Sequence, residues 1–201
     1  MPLKATAKTQ TAQRTAKKPG AAIISMLRGV NVGGHNIIGM EALRDAYQGI
    51  GLRNPQTYVQ SGNVVFTTDE RDLTALARRI EDTLERKFGF RPGVVLRTAK
   101  EMRDVIERNP FAGRKDIPPN KFHVTFLGTM PDAEMSGAVL QIKPSPEELQ
   151  LDGRELYIYF PEGMGRSKLV PVLDKALKKS GTARNWNTVT MLLEMAEKLQ
   201  R

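Results

Sequence analysis

Apolar positions along the chain fall into two periods, and the switches between them mark out elements. Ala21–Leu27 is a continuous apolar run of strand length followed by a glycine-rich loop. Met40, Leu43, Tyr47 and Ile50 then recur at helical spacing up to Gly51, a C-terminal stop. Gln56–Gln60 and Asn63–Thr67 read as two strands around a Ser61-Gly62 turn. Leu73, Leu76, Ala77, Ile80, Leu84 and Phe88 stripe one face of a long helix, and Pro92–Arg97 supplies a β-branched strand. Thr98 with Glu101 three residues on is a capping box, opening a helix through Met102, Val105 and Ile106. The order is β-α-β-β-α-β with one further helix.

Asn109–Asn120, with three prolines and a glycine, reads as a linker, and beyond it the same order returns. Phe122, Val124 and Phe126 alternate in a strand, and Asp132–Gln141 suits a helix. Glu147–Leu151 and Arg154–Phe160 flank Asp152-Gly153, a strong hairpin signal. Leu169, Leu173, Ala176 and Leu177 define a helix, Thr182–Trp186 a closing strand, and Val189, Leu192, Leu193, Ala196 and Leu199 a last helix. The expected fold is α+β: two ferredoxin-like β-α-β-β-α-β halves with antiparallel sheets, residues 21–109 and 121–201. The repeat lies in element order, without convincing identity between halves. Such a sheet places its third strand between a first and second that run the same way. Arg28–Asn36 and Gln60–Asn63 should therefore face each other at one sheet end, about 10 Å apart.

Composition narrows the chemistry. The 201 residues contain no cysteine, which excludes a disulfide scaffold, thiolate zinc sites and a cysteine nucleophile. His35 and His123 are the only imidazoles, too few for most histidine-rich metal sites; the expectation is no metal and no cofactor. The net charge of +9 is unevenly spread. Residues 1–20 carry Lys4, Lys8, Arg14, Lys17 and Lys18 with no acid; without them the body has 26 basic against 22 acidic residues. This tail is too poor in apolar side chains to offset ordering entropy and is expected to be disordered. Ala21–Leu27 is short, contains Ser25 and stops at Arg28-Gly29, which does not suit a secretory signal. No apolar run approaches the roughly 20 residues of a membrane span. The expectation is a cytoplasmic chain with no membrane partner.

Three polar clusters are candidates for binding. The first joins the loop holding Arg28, Asn31, Gly33, Gly34 and His35 to the hairpin Gln60-Ser61-Gly62-Asn63. Glycines between a strand and a helix let backbone N–H groups approach an anion, and equally they permit turns of positive φ. The loop matches neither common nucleotide fingerprint. The second cluster is Arg166, Ser167 and Lys168, with Ser167 as the expected N-cap. Basic residues are out of place at a helix start unless an anion arrives there. The third is Thr182–Thr188, where Arg184 and Asn185 are candidate ligand groups, Asn187 the expected N-cap and Trp186 a core anchor. His123 is expected at the surface or between the halves. Tyr157 and Tyr159 share a strand face better suited to packing between halves than to stacking RNA bases.

Taken together, Leu27–Gly34, Tyr58–Val64, Gly165–Leu169 and Thr182–Val189 resemble the motifs of the domain of unknown function 1697 family, in order and over about residues 21–200. The resemblance implies a duplicated α+β fold and brings no catalytic residues; the basic tail departs from the family's core. The leading expectation is binding of a phosphate-bearing ligand, nucleotide or nucleic acid, through Arg28, Asn31, Gly33, Gly34, Gln60, Ser61, Asn63, Arg166, Ser167, Lys168, Arg184 and Asn185. The alternatives are an enzyme acting on an anionic substrate, with His35 or Ser61 moving protons, and a protein-interaction module. No acid–base dyad or Ser-His-Asp set distinguishes the enzyme.

Overall fold

The computed structural model describes residues 20–201, so the tail expected to be disordered lies outside the described residues except for Gly20. The first half comprises β1 (Ala21–Leu27), α1 (Met40–Gly49), β2 (Arg53–Tyr58), β3 (Asn63–Thr68), α2 (Leu73–Phe88), β4 (Val94–Thr98) and α3 (Ala99–Glu107). The second comprises β5 (Phe122–Leu127), α4 (Ala133–Leu140), β6 (Glu148–Asp152), β7 (Glu155–Tyr159), α5 (Leu169–Ala176), β8 (Gly181–Asn185) and α6 (Trp186–Lys198). The sheets are antiparallel, with orders β2-β3-β1-β4 and β6-β7-β5-β8. Position for position these are one topology written twice: the duplicated ferredoxin-like fold.

Local chemistry explains where elements begin. The Thr98–Glu101 capping box forms in both directions at the start of α3. The second hairpin turns at Gly153, whose φ of 60° glycine tolerates, so that Asp152 pairs with Glu155. Three boundaries differ from expectation. β2 starts at Arg53 because a register shift between Arg53 and Gln56 absorbs Pro55, which an edge strand accepts. The N-cap of α6 is Asn185, not Asn187: its side chain accepts the Thr188 N–H at 2.9 Å. The N-cap of α5 is Lys168, one residue after Ser167, although the Ser167 hydroxyl still accepts the Leu169 N–H at 3.0 Å.

Strand alternation sorts side chains into layers. Ile23 and Leu27 of β1 face α1 and α2 through Leu43, Tyr47, Leu76 and Ile80. The opposite side of the strand, Ala22, Ile24 and Met26, enters a core shared with Phe122, Val124, Phe126 and Tyr157 of the second half. Met102 and Val105 of α3 and Val189, Leu192 and Ala196 of α6 complete that core. α6 packs on β1 and β3 of the other half, while Tyr157 on β7 donates its hydroxyl to the Val105 carbonyl of α3 at 2.8 Å. Each half thus lends its last helix to a common middle layer, with Trp186 packed against Phe122 there. α4 and α5 cover the outer face of the second sheet through Val139, Leu169 and Leu173 on Leu127, Leu156 and Ile158. His123 lies on that outer side, half-buried and edge-on to Phe160, rather than between the halves. No described helix is long and apolar enough to cross a membrane.

Candidate functional site

The end of β1 and the β2–β3 hairpin meet as the topology requires. Asn31, at φ 54°, spends its side chain on the meeting: Nδ2 donates to the carbonyls of Gln60 at 2.7 Å and Ile38 at 3.0 Å. Its Oδ1 accepts the Ile38 N–H at 2.8 Å, and the Leu27 N–H reaches the Gly62 carbonyl at 2.8 Å. Gly33 and Gly34 both have positive φ between Val32 and His35, which form a bridge closed by the His35 N–H on the Val32 carbonyl. This turn is what the glycine pair provides locally. His35 and Gln60 have exposed side chains.

Asn63 starts β3 completely buried, and its Nδ2 donates to the Tyr58 carbonyl and the Ser61 hydroxyl. Its Oδ1 accepts from Nε of Arg184 on β8, so this hairpin of the first half joins a strand of the second. Arg184 is 7% exposed and uses its whole guanidinium. Beyond Asn63 it donates to the carbonyls of Leu27 at 2.7 Å, Ser61 at 2.9 Å and Ala183 at 2.8 Å, and to the Thr182 hydroxyl at 2.7 Å. Every acceptor is neutral. Burial draws its pKa down to about 10, so the group still carries its charge at neutral pH, without a carboxylate partner among the described residues.

Beside Arg184 opens a cleft of about 300 Å³ between the halves. Arg28, Gly29 and Val32 of the first half form one wall. Thr182, Ala183 and Arg184 form another, and Thr125, Ile158, Phe160, Met164, Leu173 and Leu177 an apolar remainder. Asp174 is the one carboxylate among the lining residues. The Arg28 side chain makes no hydrogen bond or ion pair with any described residue, so its five N–H donors are available.

The predicted clusters therefore converge only in part. Arg28, from the first, and Arg184, from the third, reach one cleft. Asn31, Ser61, Asn63 and Asn185 spend their side chains on the loop, the hairpin and a helix cap. Arg166 and Lys168 are exposed and do not line this cleft. Lys168 instead borders a second depression with Lys143, Glu147 and Leu169, and Ser167 donates its hydroxyl to Glu147. Sequence reasoning missed Thr125, Ile158, Phe160 and Asp174. The first three follow from strand parity, since they continue the outer face of the second sheet, but the position of the cleft over that face has no sequence signal. Among the described residues no group of three or more His, Cys, Asp or Glu is placed to hold a metal ion.

A family model described as "Protein of unknown function (DUF1697)" matches residues 21–157. The match includes the loop and hairpin and ends before the motifs at Gly165–Leu169 and Thr182–Val189. No curated protein matches the chain. Among solved structures, the conserved bacterial protein SP0830 from Streptococcus pneumoniae is similar, at 21% identity and a TM-score of 0.72 over 88% of this chain and 98% of that one. A likeness at that identity speaks to the fold.

Proposed function

The chain belongs to the DUF1697 family of proteins of unknown function, and from that premise we propose that it binds a phosphate-bearing ligand of about nucleotide size or smaller in the cleft between its halves. The observation that carries this reading is Arg184, a buried cation held by neutral oxygens on the wall of a cleft that Arg28 also lines. A buried charge without a counter-charge is costly, and a ligand anion would offset that cost. Arg28 supplies the free donors; Arg184, whose donors are occupied, supplies field. The apolar remainder of the cleft suits a ring or short chain attached to the anion.

The cleft lies at the small end of ligand sites, which run from roughly 300 to 1,000 Å³. A polymer would need an extended basic face, so a mononucleotide or other small phosphate ester suits the cleft better than a nucleic acid. The lining residues offer one carboxylate and no histidine, which favours binding over acid–base turnover. A cytoplasmic location is part of this reading.

The test is a thermal-shift screen of the full chain against inorganic phosphate, nucleotides, sugar phosphates and short oligonucleotides. A ligand at 100 times its Kd stabilises by about 2.7 kcal/mol. At roughly 2–4 °C per kcal/mol, the expected rise in Tm is about 5–11 °C. Arg28→Ala should abolish the rise while leaving the unliganded Tm nearly unchanged, because the side chain makes no bond in the fold. A flat panel, or a rise that survives Arg28→Ala, would overturn the reading.

A further inference from the structure

The two halves are related residue by residue through their strand registers. Ile24 stands opposite Arg97 in the first sheet as Val124 stands opposite Arg184 in the second. Met26 stands opposite Asn63 as Phe126 stands opposite Glu155. Arg97 and Arg184 are therefore counterparts, and so are Glu155 and Asn63. The hydrogen bonds repeat the correspondence. Arg97 reaches across to the Leu127 carbonyl at 2.7 Å, and Arg184 to the Leu27 carbonyl at the same distance. Nε of Arg97 donates to Glu155 at 3.0 Å, and Nε of Arg184 to Asn63.

The chemistry at the two poles differs by one charge. Around Arg97 the buried Glu155 carboxylate neutralises the guanidinium and also accepts from Arg108 at 3.3 Å. The small cavity there is lined by three arginines and three carboxylates. At the other pole an amide stands in the carboxylate's place, Arg28 stands where Gly128 stands beside Arg97, and the cleft is larger.

Resting on the binding site proposed above, we infer that Asn63 sets the charge of the cleft, and that the ligand's compact anion supplies the counter-charge that Glu155 supplies to Arg97. Asn63 is a positioning residue: it does not line the cleft, and it acts through Arg184. The rival account is that Asn63 serves only the hairpin, through its bonds to Tyr58 and Ser61. That account predicts no change in affinity from a charge placed nearby.

The experiment titrates inorganic phosphate and phenyl phosphate into the full chain and three variants by calorimetry, with each unliganded Tm recorded. Asn63→Asp gives Arg184 an internal counter-charge. It should weaken both probes by at least about tenfold, as a unit charge does over several ångströms at an interior dielectric. Ser61→Asp keeps Asn63 and its bonds to Tyr58 and Arg184, replaces the hydroxyl that accepts from its Nδ2, and places a carboxylate on the exposed side of the same hairpin. It should also weaken binding, and it decides the matter if Asn63→Asp fails to fold. Glu155→Gln removes the carboxylate from beside Arg97 and should lower Tm with affinity unchanged. If the wild type binds neither probe, the ligand reading fails. If it binds both, and the hairpin variants that fold bind as well as it does, the binding site stands and the role of Asn63 is overturned. Loss of affinity in Glu155→Gln equal to that in Asn63→Asp would overturn the assignment to one pole.

Discussion

At the scale of single residues, His123 is the group with the clearest consequence for stability. Its Nδ1 is buried and finds no hydrogen-bond partner, and the ring sits 5.4 Å from that of Phe160. Burial lowers its pKa below the ordinary 6.5, with only partial compensation from the backbone at Lys121. The unfolded chain then holds a proton that the folded chain refuses, between the folded pKa and about 6.5. Stability therefore rises with pH through that window and is lost as pH falls below about 6.5. The expected outcome is a lower Tm at pH 5.5 than at pH 7.5, with the difference reduced in His123→Phe. Asp116, which its hydrogen bond to Arg114 holds at about 2, titrates too low to mimic this. Equal Tm values at the two pH values would show that the imidazole is not held neutral by the fold.

At the scale of elements, the β2–β3 hairpin and the loop after β1 behave as one unit, and its two kinds of glycine should respond differently to a methyl group. Gly62 has φ 72°, and a Cβ there would lie 2.5 Å from Val30 Cγ2 and 2.7 Å from Leu27 Cβ. Gly33 has φ 57° and nothing closer than 4.0 Å. Gly62→Ala should cost about 2–5 kcal/mol, backbone strain and overpacking together, and Gly33→Ala about 1 kcal/mol from strain alone. Urea unfolding separates the two, and equal losses would contradict the packing described. The meeting of these elements was legible in the sequence because element order fixes strand order, and strand order fixes which loops share an end. The Thr98 capping box and the Asp152-Gly153 turn were legible for local reasons. The role of Arg184 was not. Period-two reasoning recognises a buried face by apolar side chains, and β8 buries Thr182 and Arg184 on its inward positions instead. Their partners are largely backbone carbonyls, which no side-chain pattern advertises. The same blindness grouped Arg28 with Arg166, which the structure separates, since the direction of a side chain at a strand end depends on the half it meets.

At the scale of the whole molecule, the two halves share one core, which predicts one cooperative body rather than two. Taken alone, the first half would expose Ala22, Ile24, Met26, Val65 and Val95, which are 0–4% exposed in the full chain. The second would expose Phe122, Val124, Phe126 and Tyr157. The buried Arg97–Glu155 pair has one member in each half, and breaking such a pair costs about 3–5 kcal/mol. The separation of either half thus carries an apolar and an ionic penalty at once, and the cleft beside Arg184 exists only while both are avoided. Trp186, the only tryptophan, reports on this directly, because it packs in the shared layer against Phe122. Its fluorescence and the far-ultraviolet circular dichroism of the whole chain should trace one superimposable transition in urea, as a single cooperative unit requires. Two separated transitions, with Trp186 following only the first, would show that the halves hold their folds independently. The shared layer would then be a docking surface, and ligand binding would depend on how the halves meet rather than on the fold of either one.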